Sequence, residues 1–329
     1  MTVRVLHPGL LTTIQDLGRY GFQKYGVIVG GAMDQYSFRA ANLLVGNKEN
    51  EGVLEITLFG TSLLFEKDML IAITGGDLFA VIDDKKASTW RPILVRKGSI
   101  LQFKSPLKGC RAYVAFAGGI AVPEVMGSKS TYLRAGIGGF KGRALQKEDI
   151  IEFYKMNEFS QSLFNKLDEL RSDINWSVNY NNLINLQQTQ TIRVILGTEF
   201  DRFDQKSKRS LFNEPFTLTT QADRMGYRME GPILSLAEEF ELLSEGVTHG
   251  TIQVPPSGHP IILMADRQTT GGYPKIGQII SADLPSMAQI QPTARIHFKE
   301  VSHEEAENEL LKKESILDGI KVGIGFKTF

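Results

Sequence analysis

The sequence predicts a mainly β protein with a few helices. Most of its segments read as short strands, and Gly, Pro, Asn or Asp separates them. Strands that are this short and this frequent are typical of barrels and sandwiches, and they argue against a parallel α/β sheet. Helical periodicity is sparse, and a polar stretch separates two strand-rich halves. The length also favours about two domains.

The predicted strands divide between the two halves of the chain. In the first half they are residues 3–6, 53–58, 70–73, 78–82, 93–95, 99–103, 112–116 and 150–154. In the second half they are residues 191–196, 216–218, 251–254, 261–264, 276–280 and 295–298. Turn-forming residues separate these segments, which is the pattern expected of antiparallel sheets.

The predicted helices are identified by capping residues or by a one-sided apolar pattern. Asp34 is a candidate N-cap for a helix that extends to Val45. Residues 160–171 place four large apolar side chains on one helical face. Near the C-terminus, Ser302 and Glu305 have the spacing of a capping box.

The polar stretch 156–190 is rich in Asn, Gln and Ser and is interpreted as the connection between the two halves. We therefore expect a first β lobe over residues 1–155 and a second over residues 191–300. Residues 301–329 form a C-terminal helix and tail under this division.

The overall charge excludes some partners. Lys plus Arg and Asp plus Glu both number 37, so no bulk basic field is available for nucleic acid or a membrane surface. The single cysteine, Cys110, cannot form an internal disulfide, and we expect a small buried or strand-edge residue. No apolar run approaches the roughly 18 residues of a membrane span, and the N-terminal residues have no signal-peptide core. We expect a cytoplasmic protein.

Several familiar motifs are absent or mismatched. Residues 127–131 lack the order of a phosphate-binding loop, and the glycine-rich residues 136–142 lack dinucleotide spacing and favour a turn. The five histidines show no metal-ligand spacing, and no nucleophile-elbow motif occurs.

Three polar segments are candidates for a binding site. They are residues 12–19 followed by 30–34, residues 223–228, and residues 265–274 with Gln253 upstream. Each combines carboxylate, guanidinium or amide groups with glycine. Glycine lets backbone N–H groups approach a ligand, and arginine suits carboxylate or phosphate. The alternative for each segment is a structural turn with a surface ion pair, and for Asp34 it is helix capping.

The same segments carry a resemblance to a known family. The chain resembles the biotin-dependent carboxyltransferase-like family, also called allophanate hydrolase subunit 2, at GLLTTIQDLGRYG, GGAMD with AANLLVGN, DRMGYRMEGP, GTIQVPPSGHPIIL and DRQTTGGYPKIGQI. These segments occur in order over about residues 3–300. The resemblance implies two cyclophilin-like β-barrel lobes, which agrees with the strand pattern.

The resemblance also implies a function. Standalone members of this family are one component of an ATP-dependent 5-oxoprolinase, which opens 5-oxo-L-proline to L-glutamate. They work with two further chains, an A component and a KipI-like B component. ATP and Mg²⁺ are then cofactors of the complex, and the chain alone is expected to be inactive.

Two alternatives to this function remain open. One is a carboxyltransferase-like protein that acts on urea or another amide with a biotin-carrying partner. The chain has no Ala-Met-Lys-Met biotinylation segment, which disfavours that alternative. The other is a non-catalytic antagonist of a KipI-type kinase inhibitor.

The roles of individual residues are hypotheses at this point. The catalytic candidates are Asp223, Arg224, Asp266, Arg267 and Gln268, and the substrate-binding candidates are Gln15, Asp16, Arg19, Gln253, Thr269, Thr270, Gly271, Gly272 and Tyr273. The arginines would bind phosphate or a substrate carboxylate, the aspartates would hold a metal or orient an arginine, and the glutamines would recognise the amide. No metal site made by this chain alone is expected. The sequence leaves open whether these segments form the site or bind a partner chain.

Overall fold

The computed structural model describes residues 1–170 and 174–328, and its chain folds into two compact units. Within the described residues, the first unit comprises Met1–Arg19, Asp34–Ile184 and Glu314–Phe329. The second unit comprises Tyr20–Met33 and Asn185–Lys313. The sequence assigned all of residues 1–155 to one lobe, whereas the structure places Tyr20–Met33 with the second unit.

Two antiparallel sheets form the first unit. Its strands are β1 (Thr2–Pro8), β2 (Leu11–Gln15), β3 (Val53–Thr57), β4 (Thr61–Phe65), β5 (Met69–Asp77), β6 (Ala80–Ile82), β7 (Lys85–Lys86), β8 (Pro92–Val95), β9 (Ile100–Phe103), β10 (Lys108–Phe116) and β11 (Ile150–Glu152). One sheet has the order β11-β1-β4-β9-β6-β7 and the other has the order β2-β3-β10-β5-β8. A single apolar core contains side chains from both sheets, including Val5 and Leu63 from the first and Ile56 and Val114 from the second.

The other face of the five-stranded sheet is polar but also buried. Helix α1 (Gln35–Leu44) contacts β5 and β10 there. The Tyr113 hydroxyl donates to Glu55 at 2.8 Å, and it accepts from the backbone N–H of Asp34 at 2.8 Å. Asp34 is the N-cap of α1, since its carboxylate accepts from the Ser37 N–H at 2.9 Å. The predicted cap is confirmed, and the polar side chains on this face hold the helix against the sheet.

A closed seven-stranded barrel forms the second unit. Its strands are β12 (Thr189–Leu196), β13 (Phe216–Leu218), β14 (Gly226–Glu230), β16 (Thr251–Gln253), β17 (Ile261–Leu263), β19 (Lys275–Ile279) and β20 (Arg295–Glu300). They follow the order β12-β19-β16-β17-β14-β13-β20, and β20 pairs in parallel with β12 to close the barrel. The short strands β15 (Glu245–Gly246) and β18 (Thr270–Gly271) pair with each other outside the barrel. Successive side chains alternate, so Tyr227 and Met229 of β14 enter the core while Arg228 points outward.

The remaining helices are α2 (Glu158–Leu170), α3 (Gln205–Asn213), α4 (Leu284–Ala288) and α5 (His303–Thr328). Helix α5 begins at the predicted capping box, because the Glu305 N–H donates to Ser302 Oγ at 3.1 Å and the Ser302 N–H donates to Glu305 at 2.7 Å. The predicted helix over 160–171 exists but begins at Glu158, and Arg171 lies outside the described residues.

The predicted fold class is confirmed: the protein is mostly β with a few helices. Helices α3 and α4 were missed, because both are short and have no long apolar stripe. No strand was predicted within the three polar segments, but parts of each are strands. Residues 12–15 belong to β2, residues 226–228 belong to β14, and residues 270–271 belong to β18. Polar side chains hid β2, because hydrogen-bonded neighbours and not apolar contacts bury Thr13 and Gln15.

Candidate functional site

A cleft of about 570 Å³ lies on the outer wall of the barrel. It is lined by Gln221, Asp223, Met225, Gly226, Arg228, Ser244, Val247, Gln253, Ile261, Leu263, Arg267, Gln268, Thr270, Gly271, Gly272 and Tyr273. Its volume is in the range of small-molecule sites, which is about 300–1,000 Å³. All of its lining residues belong to the second unit.

The floor of the cleft follows from the strand register. Arg228 pairs with Ile261, and Ile261 pairs with Gln253, so these three outward side chains lie in one row across β14, β17 and β16. Gly226 pairs with Leu263 in a neighbouring row. A Cβ at Gly226 would lie 3.1 Å from Ile261 Cγ2, so a larger residue there would crowd the floor. The floor is thus apolar in its middle and carries a guanidinium and an amide at the edges.

One wall of the cleft is the segment between β17 and β19. These strands are not neighbours, because β16 lies between them in the barrel. The connection must therefore pass over the end of β16, which a tight hairpin turn cannot do. Its residues 270–271 pair with β15, and this pairing places Thr270 and Gly271 on the cleft. The crossing explains the length of the segment, and the pairing explains one of its threonines.

Arg267 lines the cleft with few constraints. Its Nε donates to the carbonyl of Val247 at 3.4 Å, a long hydrogen bond. Burial lowers the pKa of its guanidinium, while the charges of Tyr20 and Asp266 oppose that effect. Within the described parts of the chain, no carboxylate forms an ion pair with Arg267. Because this partly buried guanidinium has no ion pair with a carboxylate of the described residues, it is available to an anionic ligand.

Arg224 and Asp266 have a different environment. The Arg224 Nε and Nη2 atoms each donate to Asp266 at 2.9 Å, and Nη2 also donates to the carbonyl of Gly31 at 2.6 Å. Both side chains are buried, at 5% and 6% exposure, and neither lines the cleft. The two residues were predicted to be catalytic, and the structure places them in a buried ion pair beside the cleft.

Asp223 is exposed and lines the cleft. Its Oδ1 accepts from the backbone N–H groups of Met225 at 2.7 Å and Gly226 at 3.0 Å. These bonds stabilise the turn that leads into β14. One carboxylate oxygen is therefore already engaged by the protein's own backbone.

Gln253 supplies a buried amide to the cleft. Its Nε2 donates to the carbonyl of Tyr273 at 3.2 Å, and the residue is 5% exposed. Gly271 packs against it so closely that a Cβ there would lie 2.6 Å from Gln253 Nε2. Gln268 and Thr270 are exposed on the same wall, while Thr269 does not line the cleft, and its carbonyl accepts from the Val247 N–H at 3.1 Å.

The first polar segment is divided between the units: residues 12–19 and Asp34 belong to the first unit, and residues 30–33 belong to the second. Asp16 accepts from the hydroxyls of Ser128 at 2.7 Å and Ser130 at 2.6 Å, and also from the Lys129 N–H at 2.6 Å. Arg19 is fully buried and donates to the carbonyls of Val125 and Ser130, both at 2.9 Å. These contacts hold the loop that contains residues 125–130 and leave Asp16 and Arg19 engaged with their own unit.

Gln15 lies near the same loop. It is buried, and its Nε2 donates to Thr13 Oγ1 at 2.9 Å. The structure thus brings together the second and third predicted segments around one cleft, while residues 12–19 of the first segment form a separate buried network.

Sequence reasoning missed several lining residues. Arg228 was quoted within the second segment but was not selected, and Gln221, Ser244 and Val247 were not considered. A strand assignment for residues 226–230 would have found Arg228, because alternation then places it outward beside Gly226. Ser244 and Val247 join the cleft through the β15–β18 pairing, which no local pattern predicts.

Metal-ligand clusters and membrane-spanning helices are both missing from the described parts of the chain. Among residues 1–170 and 174–328, no group of three or more metal-ligating side chains comes together. Within the same residues, no helix combines the length and the apolar character that a membrane crossing requires.

Comparison with known proteins gives consistent matches. Residues 25–300 match the model of the carboxyltransferase domain family, subdomain A and B. The chain is 41% identical to the C subunit of the 5-oxoprolinase of Escherichia coli K12 over 304 residues, which cover 92% of this chain and 93% of that protein. It is 40% identical to the protein of the same name from Haemophilus influenzae, with 94% of each chain covered. The crystal structure of the urea amidolyase of K. lactis superposes with a TM-score of 0.87 at 28% identity, over 97% of this chain and 20% of that one.

Proposed function

The chain belongs to the carboxyltransferase domain family, subdomain A and B, and we propose that it is the C subunit of a 5-oxoprolinase, a hydrolase built from several chains. The observation that carries this proposal is the match to two proteins of that name over almost the whole of each chain. The cleft on the barrel wall is the proposed place where this chain meets the substrate.

The chemistry of the cleft suits 5-oxo-L-proline. This substrate has a carboxylate and a lactam amide. The lining residues include the guanidiniums of Arg228 and Arg267 and the carboxylate of Asp223, a formal charge of two minus one, or plus one. Such a surface attracts an anion. Arg267 is the proposed partner of the carboxylate, because it already lies in the cleft and makes one long hydrogen bond to the described residues.

The amide would be recognised by glutamine. The Gln253 side chain has one donor bond to Tyr273, and its amide can both donate and accept. Gln268, which also lines the cleft, adds a second amide. The apolar floor of Ile261 and Leu263 would contact the methylene groups of the lactam ring.

ATP and Mg²⁺ belong to the proposal only at the level of the complex. The two guanidiniums could accept phosphate oxygens. Mg²⁺ prefers several oxygen ligands, and the cleft has one carboxylate, Asp223, whose Oδ1 is already engaged by backbone N–H groups. The residues of this cleft therefore do not fit a metal site by themselves, and we derive no step through ATP or the metal here.

The A component and the KipI-like B component of the 5-oxoprolinase are the proposed partners. The groups needed to activate a lactam are incomplete in this chain, so we propose that it is inactive alone. A complex that consumes ATP is expected in the cytoplasm.

A carboxyltransferase role is the second candidate. The similarity to the urea amidolyase of K. lactis over 97% of this chain favours it, since urea and 5-oxoproline share an N–C=O unit. Under this role, a biotin-carrying partner chain would supply the carboxyl group.

Reconstitution tests both candidates. The complete set of three chains with ATP and 5-oxoproline should form glutamate, and omission of any one chain should abolish turnover. Turnover without this chain would refute the proposal. Carboxylation of urea with a biotin-carrying partner, and no glutamate formation, would favour the second candidate. Tight binding to the KipI-like B component without either reaction would identify a binding antagonist.

A further inference from the structure

His249 lies in the connection between β15 and β16, next to the cleft but not on its lining. Its Nε2 atom is buried and has no hydrogen-bond partner within the described parts of the chain. A buried polar atom without a partner is costly, and native structures retain few of them. Because the described part of the folded chain gives this nitrogen no hydrogen-bond partner, we expect its partner to come from a ligand-bound state.

The backbone around His249 is firmly held. The carbonyl of His249 accepts from Gln278 Nε2 at 2.7 Å, and Gln278 Oε1 accepts from the hydroxyls of Thr248 and Thr251, both at 2.9 Å. Gly250 has φ +87° and donates its N–H to Leu263 at 2.7 Å. The position of the imidazole is thus set by the barrel wall, and its unpartnered nitrogen is not the result of a loose loop.

The charges of two guanidiniums on neighbouring elements affect the pKa of this imidazole. Arg224 precedes β14, and Arg267 follows β17. Burial, and then the charges of Arg267 and Arg224, lower the pKa of His249 to about 3. The imidazole is therefore neutral at physiological pH and keeps one acceptor nitrogen. Asp266 pairs with Arg224, which leaves Arg267 as the guanidinium without a carboxylate partner in the described residues.

We infer that His249 is a positioning residue for Arg267, and that its buried Nε2 accepts a hydrogen bond from this guanidinium when an anion occupies the cleft. Arg267 has five N–H donors and, within the part of the chain that the structure describes, uses one, in a long bond to Val247. An anion would accept hydrogen bonds from two of the other N–H donors. The hydrogen bond to the imidazole would then fix the orientation of the guanidinium plane. This inference rests on the proposed function, in which Arg267 binds the substrate carboxylate.

A protonated imidazole could not do this, because it has no acceptor and would repel the guanidinium. The flanking cations keep His249 in the one state that can accept from Arg267. The charged groups that face the imidazole are thus Arg224, Arg267 and, through Arg224, Asp266.

The first test is a histidine NMR titration, with the His249 signal assigned by its loss in His249→Gln. In the wild type this signal should not titrate between about pH 5 and 8. Arg267→Gln removes one of the two flanking cations and should raise the pKa of His249. Arg228→Gln removes another cation of the cleft and should leave it unchanged. Equal titration in the wild type and in Arg267→Gln would overturn the inference.

The second test is kinetic and uses the reconstituted complex. His249→Phe removes the acceptor and should raise KM for 5-oxoproline about tenfold with a smaller change in kcat, because binding is what the residue supports. His249→Gln keeps an acceptor and should recover part of the loss. An unchanged KM in a folded His249→Phe protein, verified by its melting temperature, would also overturn the inference.

Addition of 5-oxoproline to the wild type should shift the His249 signal. If the signal stays fixed while Arg267→Gln still raises the pKa of His249, the coupling between the two residues stands and the proposed substrate is wrong. Failure of the inference and failure of the proposed function are therefore distinguishable.

Discussion

Replacing Arg267 with alanine should separate activity from stability. The side chain lines the cleft, and among the described residues its one hydrogen bond is the 3.4 Å contact from Nε to Val247. Loss of a charge-assisted contact to the substrate carboxylate costs about 1.5–3 kcal/mol, which corresponds to a decrease of roughly ten- to 150-fold in kcat/KM. The free energy of unfolding should change by about 0.5 kcal/mol or less, because little of the fold depends on this guanidinium.

The assay is ATP-dependent glutamate formation from 5-oxoproline by the reconstituted complex, with the melting temperature of the isolated chain measured in parallel. Gln268→Ala is a matched control on the same wall, since Gln268 is exposed and adds only a neutral amide. Its decrease in kcat/KM should be smaller than that of Arg267→Ala, because hydrogen bonds between neutral groups are weaker.

Two results would refute this account of Arg267. Unchanged kcat/KM in Arg267→Ala would remove the side chain from the substrate site. Loss of activity together with loss of the KipI-like B component from the complex on size-exclusion chromatography would show that the cleft is a partner interface.

Other substitutions should act through different physical effects. Arg224→Ala leaves a buried carboxylate unpaired and should lower the free energy of unfolding by about 3–5 kcal/mol, measured by chemical denaturation; a change below about 1 kcal/mol would contradict the buried ion pair. Gly271→Val places a Cβ 2.6 Å from the amide nitrogen of Gln253 and should raise KM for 5-oxoproline, whereas Gly319→Val, in helix α5 with no positive φ and no neighbour within 4 Å of the new Cβ, should not. Burial raises the pKa of Asp149, but hydrogen bonds from Arg143 and from the Gln146 N–H, together with the charges of Arg143 and Lys141, outweigh that effect and hold the pKa below its usual value. The stability from the Arg143–Asp149 pair is present above about pH 4 and is lost as the pH falls through the folded pKa of Asp149. Asp149→Asn should therefore reduce the loss of stability at acidic pH. An unchanged loss at acidic pH would contradict this.

The strands that the sequence predicted, such as β10 and β12, have apolar inward faces, although β4 was missed in spite of the core side chains Leu63 and Phe65. It missed β2 because Thr13 and Gln15 of that strand are buried by hydrogen bonds on the polar face of the five-stranded sheet. Local sequence patterns indicate apolar burial and turns, but they do not indicate which polar side chains a distant helix buries.

The sequence predicted the types of residue in the candidate site, but it did not predict which segments meet at one cleft. The segments at 223–228 and 265–274 do meet at one cleft, but the segment at 12–19 does not join them. Which polar side chains face a cleft depends on strand register. Arg228 and Gln253 lie in one row because both strands pair with β17, and that pairing is a long-range property of the barrel.

The two Asp-Arg dipeptides show this most clearly. Asp223-Arg224 and Asp266-Arg267 look equivalent in the sequence, and each could form its own ion pair or none. The fold joins the segments by the backbone bond from the Asp266 N–H to the Arg224 carbonyl, at 2.7 Å, and the side chains then pair across the dipeptides, Arg224 with Asp266. One charged side chain of each dipeptide belongs to the buried ion pair, and the other, Asp223 or Arg267, lines the cleft. Because adjacent residues point in different directions, the pairing that stabilises the wall also fixes the one guanidinium of the two that a ligand can reach.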